Sequence, residues 1–99
     1  MARINLGHGK WFETDSAACW KEDTRWDGNN RISVATGSQW DHEELYHTRS
    51  GAWILHEWQC SHESYSVINA VSARVWLIDQ DHAAAVESLF PGALAAAEV

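Results

Sequence analysis

Proline is nearly absent from this chain of 99 residues, occurring once, at Pro91. No proline-rich, repetitive or low-complexity stretch marks an interdomain linker, so one domain with one modest core is expected, spanning 1–92 with 93–99 as a frayed tail. Basic residues are also few: seven Lys and Arg stand against fourteen Asp and Glu, a formal net charge of −7, and they are dispersed from Arg3 to Arg74. Phosphate-backbone binding needs clustered cations, so direct nucleic-acid binding is not expected. No run of 18 apolar residues, signal peptide or lipidation motif is present, which argues against a membrane partner and makes the cytoplasm the expected location. The two cysteines, Cys19 and Cys60, are too few for a disulfide framework, and free thiols are expected.

Tryptophan and acid are in excess. Each of the seven tryptophans buries roughly 150–250 Å² when enclosed, so together they can supply the core volume that few aliphatic residues would not. A sheet with alternating faces cannot hide all seven, and one or two are expected as surface anchors for a partner. The acidic surface suits docking onto a basic protein, where complementary potential speeds association.

The stretch Asp41 to Cys60 organises the chain. Two apolar-rich arms flank Arg49-Ser50-Gly51, where glycine can take the positive φ of a bulged hairpin turn. A three-residue loop sets Thr48 opposite Ala52, His47 opposite Trp53, Leu45 opposite Leu55 and Glu44 opposite His56. Leu45, Trp53 and Leu55 then share one face. The other face carries His42, Glu44, Tyr46, Ile54, His56 and Trp58, too apolar to be only solvated and too polar to be only core, and it is the candidate functional face.

Before this hairpin, Met1–Leu6 and Trp11-Phe12 read as short edge strands, and Thr14-Asp15-Ser16 as a cap for one helical turn through Ala17-Ala18-Cys19. A second hairpin is expected from Trp20 to Val34 around Asp27-Gly28-Asn29-Asn30, with a continuous helix from Asp15 to Arg25 as the competing reading. After the central hairpin, Ser61-His62-Glu63-Ser64 turns the chain into a strand at Tyr65–Ile68. Asn69 is placed to cap a helix over Ala70–Asp81 with Val71, Val75 and Ile78 on its buried stripe and at least one of Trp76 and Leu77 enclosed. Asp81 is placed to cap a second helix from Ala83 to Phe90, stopped by Pro91-Gly92. The expected fold is α+β: an antiparallel meander of about five or six strands with a C-terminal helix packed on one face.

Candidate chemistry is thin. His42, His56 and Cys60, with Glu44 on the same face and His62 close by, are types that bind zinc, but no CxxC, HxH or HExxH spacing accompanies them. Either cysteine beside a histidine lacks the orienting group and cleft of a thiol enzyme. Glu43-Glu44 and Glu22-Asp23 are adjacent, so on strands they point to opposite faces and are not acid/base dyads. No cofactor is expected.

Three sets of residues resemble a loose group of small proteins of bacterial plasmids, phages and other mobile elements. They are Lys10-Trp11-Phe12, then Glu44-Leu45-Tyr46-x-Thr48-x-x-Gly51-x-Trp53-x-Leu55, then Ile68 followed by Ala73-x-x-Trp76-Leu77. The likeness spans Lys10 to about His82. It implies a setting rather than an activity at particular positions: small acidic proteins of such elements include anti-CRISPR and anti-restriction inhibitors that occupy surfaces of nucleic-acid-handling complexes.

The resulting expectation is a non-enzymatic acidic interaction module of that inhibitor type. Trp40, Asp41, Glu43, Glu44, Tyr46 and Trp58, with Glu22, Asp23 and Asp27 from the preceding hairpin, would meet a basic nucleic-acid-binding surface on a protein partner. Two other classes stay open: a small metal- or thiol-dependent enzyme using His42, His56 and Cys60, and a homodimer joined through an open sheet face or edge strand.

Overall fold

Gly51 takes φ 94°, and Thr48 N–H donates to the Ala52 carbonyl at 2.9 Å, closing the central hairpin in the expected register. His47 lies opposite Trp53, Leu45 opposite Leu55 and Glu44 opposite His56. The computed structural model describes residues 2–99; the expected first strand began at Met1, which lies outside them.

In chain order the elements are β1 (Arg3–Gly7), β2 (Lys10–Glu13), a 3₁₀ turn (Thr14–Ser16), β3 (Ala18–Lys21), β4 (Thr24–Trp26), β5 (Arg31–Ser33), β6 (His42–His47), β7 (Trp53–Gln59), β8 (His62–Ile68), α1 (Ala70–Asp79), α2 (Ala83–Leu89) and α3 (Ala93–Ala97). The architecture is α+β and antiparallel throughout, but among the described residues eight strands form where five or six were expected. They divide into a four-stranded sheet in the order β3-β6-β7-β8 and two separate ribbons, β1-β2 and β4-β5. The division falls at Glu22-Asp23. Trp20 alternates into the main sheet opposite Leu45, whereas Thr24–Trp26 pairs only with Arg31–Ser33 across the Asp27–Asn30 turn.

No α-helix forms between Asp15 and Arg25: the 3₁₀ turn stops at Ser16, and Ala17–Cys19 does not continue it. Glu13 caps the 3₁₀ turn by accepting from Asp15 N–H at 2.9 Å, and the chain is extended again from Ala18. Pairing with β6 gives the inward-facing backbone groups of this edge strand a ladder partner, an advantage local propensity cannot supply. The turn between β7 and β8 is also tighter than expected, with Cys60 at φ 42° and His62 already in the strand.

Asn69 caps α1 as expected, its Oδ1 accepting from Ser72 N–H at 2.8 Å. The buried stripe is rotated from the expected one: Ile78 packs against the core and both Trp76 and Leu77 are enclosed as expected, but the two valines are not. Val71 and Val75 are 59% and 46% exposed, while Ala73, Trp76, Leu77 and Gln80 are buried. The helix presents its two largest apolar side chains to the sheet, and the small Ala73 allows close approach. Trp76, Leu77 and Val86 of α2 pack with Leu45 and Trp53 into the main core. Trp53 lies at its centre, stacked on His47 at 3.9 Å and flanked by Trp20 and Phe90.

α1 ends in a pair of bonds, Asp81 N–H to the Ile78 carbonyl and His82 N–H to that of Leu77, with Asp81 at φ 64°. This is the left-handed termination usually made by glycine. Asp81 therefore ends α1 instead of capping α2, whose N-cap position is His82. Gly92, at φ 83°, leads into α3. The expected frayed tail is thus helical over Ala93–Ala97, and Ala93 and Leu94 pack against the core. Among the described residues no helix is long and apolar enough to cross a membrane.

Candidate functional site

The β6–β7 hairpin sorts its side chains by parity, and the face opposite α1 is covered over its middle, while Trp58 and Val67 on it stay accessible. Phe12 of β2 lies over it, 5.2 Å from the Tyr46 ring and 6.0 Å from that of Tyr65, and Ile54 is fully enclosed. The β1-β2 ribbon therefore builds a second small core where an exposed binding face was expected.

Within that layer Glu44, 5% exposed, gathers four donors. Its carboxylate accepts from Lys21 Nζ, His56 Nδ1 at 2.7 Å, Tyr46 OH at 3.2 Å and Cys19 Sγ at 3.5 Å. Burial opposes its charge, but the bonds from Lys21 and His56 outweigh burial and hold the carboxyl below the usual glutamate range. The same surroundings push Tyr46 up, through burial and then the Glu44 charge. They also raise the Cys19 thiol, again through burial and then Glu44. His56 is clamped face to face on Tyr65 at 4.1 Å and 2°. Its Nε2 is buried without a hydrogen-bond partner, 3.7 Å from Glu63 Oε2.

A second carboxylate, Glu22, ties the chain together at the start of β6. It accepts from Ser33 Oγ, His42 Nδ1 and Glu43 N–H, each at 2.7 Å. Glu43, on the α1 side, accepts from the indole N–H of Trp76 at 2.9 Å. Burial raises its carboxyl above the usual range, and Glu57 and Glu22 push the same way against the Trp76 bond.

Beside these residues lies an open groove of about 650 Å³ at the end of the sheet remote from the hairpin loop. Asp41, Glu43, Glu57 and Glu63 line it together with Trp58 and two histidines, and no Lys or Arg does. Trp40, next to Asp41 in the chain, is 66% exposed.

The expected contact residues therefore separate into two groups. Trp40 is exposed, and Asp41, Glu43 and Trp58 line the groove. Glu44 is buried among its own donors, Tyr46 lies against Phe12, and Glu22 is consumed by internal bonds. Asp23 accepts from its neighbour Thr24 N–H. Asp27 shapes its own turn by accepting from Asn29 and Asn30 N–H, which lowers its carboxyl.

His42, His56 and Cys60 are not assembled as a ligand set. Each histidine's Nδ1 is engaged by a different glutamate, and Cys60 sits in the left-handed turn, where strand alternation no longer places it beside His56. Among the described residues no three His, Cys, Asp or Glu side chains could hold a metal ion together, and both thiols are free. The Cys19 thiol, raised by burial and then by Glu44, is the reverse of an activated nucleophile.

Sequence reasoning missed Glu57 and Glu63 in the groove and Phe12 as the lid of the second face. Glu57 is signalled by the register opposite Glu43. Glu63 and Phe12 had no comparable signal, since one depends on where β8 begins and the other on the docking of a separate ribbon. No protein-family model matches this chain, and no curated protein or solved structure matches it either.

Proposed function

We propose that the chain is a non-enzymatic acidic interaction module whose groove between the start of β6 and the start of β8 receives a basic segment of a protein partner. One observation carries this reading: four acidic residues and a half-buried tryptophan line a groove at the sheet's end that has no Lys or Arg in its lining. Four like charges around one concavity hold a local negative potential that favours Lys and Arg side chains and speeds their arrival. Trp58 within the groove and exposed Trp40 near its rim supply the apolar contact that retains a docked partner. The mobile-element resemblance adds the class of partner, a nucleic-acid-handling complex whose own surface is basic, and makes the module an inhibitor that occupies that surface.

The test uses the whole chain as bait, wild type against Asp41→Lys/Glu63→Lys. These positions are chosen because Glu43 holds Trp76 and Glu44 holds His56, so reversing those would disturb the fold, whereas Glu63 is a largely exposed side chain that only approaches His56 at 3.7 Å. A cognate partner should associate at least about tenfold more slowly with the variant and with the wild type at high salt, as expected for electrostatic steering. A partner held equally by both proteins and indifferent to salt would remove the groove from the interface. Trp58→Ala should act instead on the dissociation rate.

A further inference from the structure

A second groove, of opposite character, lies at the other end of the β6–β7 hairpin. It has a volume of about 510 Å³ and runs between the β1-β2 ribbon and the hairpin loop, lined by Arg3, Trp11, Phe12, Thr48, Arg49 and Ser50 among others. Six residues of strand separate it from the acidic groove, a distance of roughly 20 Å at the rise of an extended chain.

Three features point to an anionic ligand. In a chain with twice as many acidic as basic residues, two guanidinium groups here have no carboxylate partner among the described residues. The Arg3 guanidinium sits 4.7 Å from the centre of the Trp11 ring, an arrangement that steadies the cation while leaving its N–H groups unpaired. Glu13, the one acid in the lining, stands opposite Arg3 in the ribbon and accepts from Ala2 and Asp15 N–H through Oε2, so two guanidinium groups against one carboxylate leave the lining positive.

The remaining features select among anions. Trp11, 55% exposed, offers an apolar shelf, and among the described residues the β1-β2 ribbon is paired with no further strand. An extended peptide can use both, a side chain on the indole and main-chain bonds to an edge. A compact phosphate can use neither. We propose that this groove binds a short acidic peptide segment of a protein partner, with carboxylates on Arg3 and Arg49 in paired N–H···O contacts and an apolar side chain on Trp11. The module then carries two docking surfaces of opposite charge, one at each end of its central hairpin.

The full-length protein would be titrated with a short capped peptide of Asp and Glu containing one Phe, followed by amide and indole NMR signals. Parallel titrations use its Asn/Gln counterpart, inorganic phosphate and ATP. The Trp11 indole and Arg49 amide signals should move saturably with the acidic peptide and not with the neutral one. Arg49→Gln, at an exposed loop position that makes no structural bond, should weaken binding about tenfold or more, the effect of losing one charge-assisted contact. Asp41→Lys/Glu63→Lys should bind the peptide as the wild type does, so failure here and failure of the acidic groove are separable. No movement at Trp11, equal movement with the neutral peptide, or equal movement with phosphate or ATP would each overturn the peptide site.

Discussion

Glu43 and Glu44 are neighbours in the chain whose carboxyls shift in opposite directions, because strand alternation sends one towards α1 and the other to the opposite face. Glu44 is lowered from an ordinary value near 4.5, so its ionised form stabilises the fold at pH above that value, and the contribution disappears as pH falls through the folded pKa. Glu43 is raised, so its ionisation opposes folding as pH rises past the same ordinary value. Glu44→Gln should therefore lose about 1–3 kcal/mol at neutral pH, the usual consequence of stranding buried donors, and should show a flatter acid limb. Glu43→Gln keeps an oxygen for Trp76 and should match or exceed the wild type at neutral pH while losing stability more steeply on acidification. Urea denaturation of the three proteins from neutral pH into the acid range checks both outcomes. Trp76→Phe removes the indole donor but little apolar volume, whereas Trp76→Ala should cost about 3–5 kcal/mol through the cavity it leaves.

At the scale of elements, α1 is held by its two ends and one stripe. Asn69→Ala should cost about 1 kcal/mol, the value of an N-cap side chain. Asp81→Gly should stabilise by about 1 kcal/mol, since a left-handed backbone strains a residue with a β-carbon. Val71→Lys and Val75→Lys should stay within about 0.5 kcal/mol of the wild type, because both side chains are exposed and away from the packed stripe. Thermal denaturation of the four variants separates this helix rotation from the one expected from the sequence, in which both valines would be core residues.

For the whole molecule, the β1-β2 ribbon converts the middle of the second sheet face, around Ile54 and Tyr46, from surface into interior. Phe12→Ala should cost on the order of 3–5 kcal/mol and expose Tyr46, Tyr65 and the Glu44 donors. Faster amide exchange on the β6–β7 face, with α1 still protected, would identify the ribbon as a separately detachable layer. With that layer in place, the hairpin presents an acidic groove at one end and a basic groove at the other. The net charge of −7 conceals this division.

The central hairpin was legible residue by residue, because Gly51 after Arg49-Ser50 sets a loop length and loop length sets register. Local chemistry likewise determined the Asn69 cap, the Asp27–Asn30 turn and the antiparallel α+β class. What lay outside reach depends on which surfaces meet. Val71, Val75 and Ile78 satisfy a helical stripe as well as Ala73, Trp76, Leu77 and Gln80 do, and only the sheet beneath chooses between them. Asp15 to Arg25 could be helix or strand until β6 offered an edge to pair with. Of the site, Asp41, Glu43 and Trp58 were named in advance and line the groove. Glu44, Tyr46 and Glu22 were named and are internal, since alternation assigns a residue to a face but cannot say whether another part of the chain covers that face.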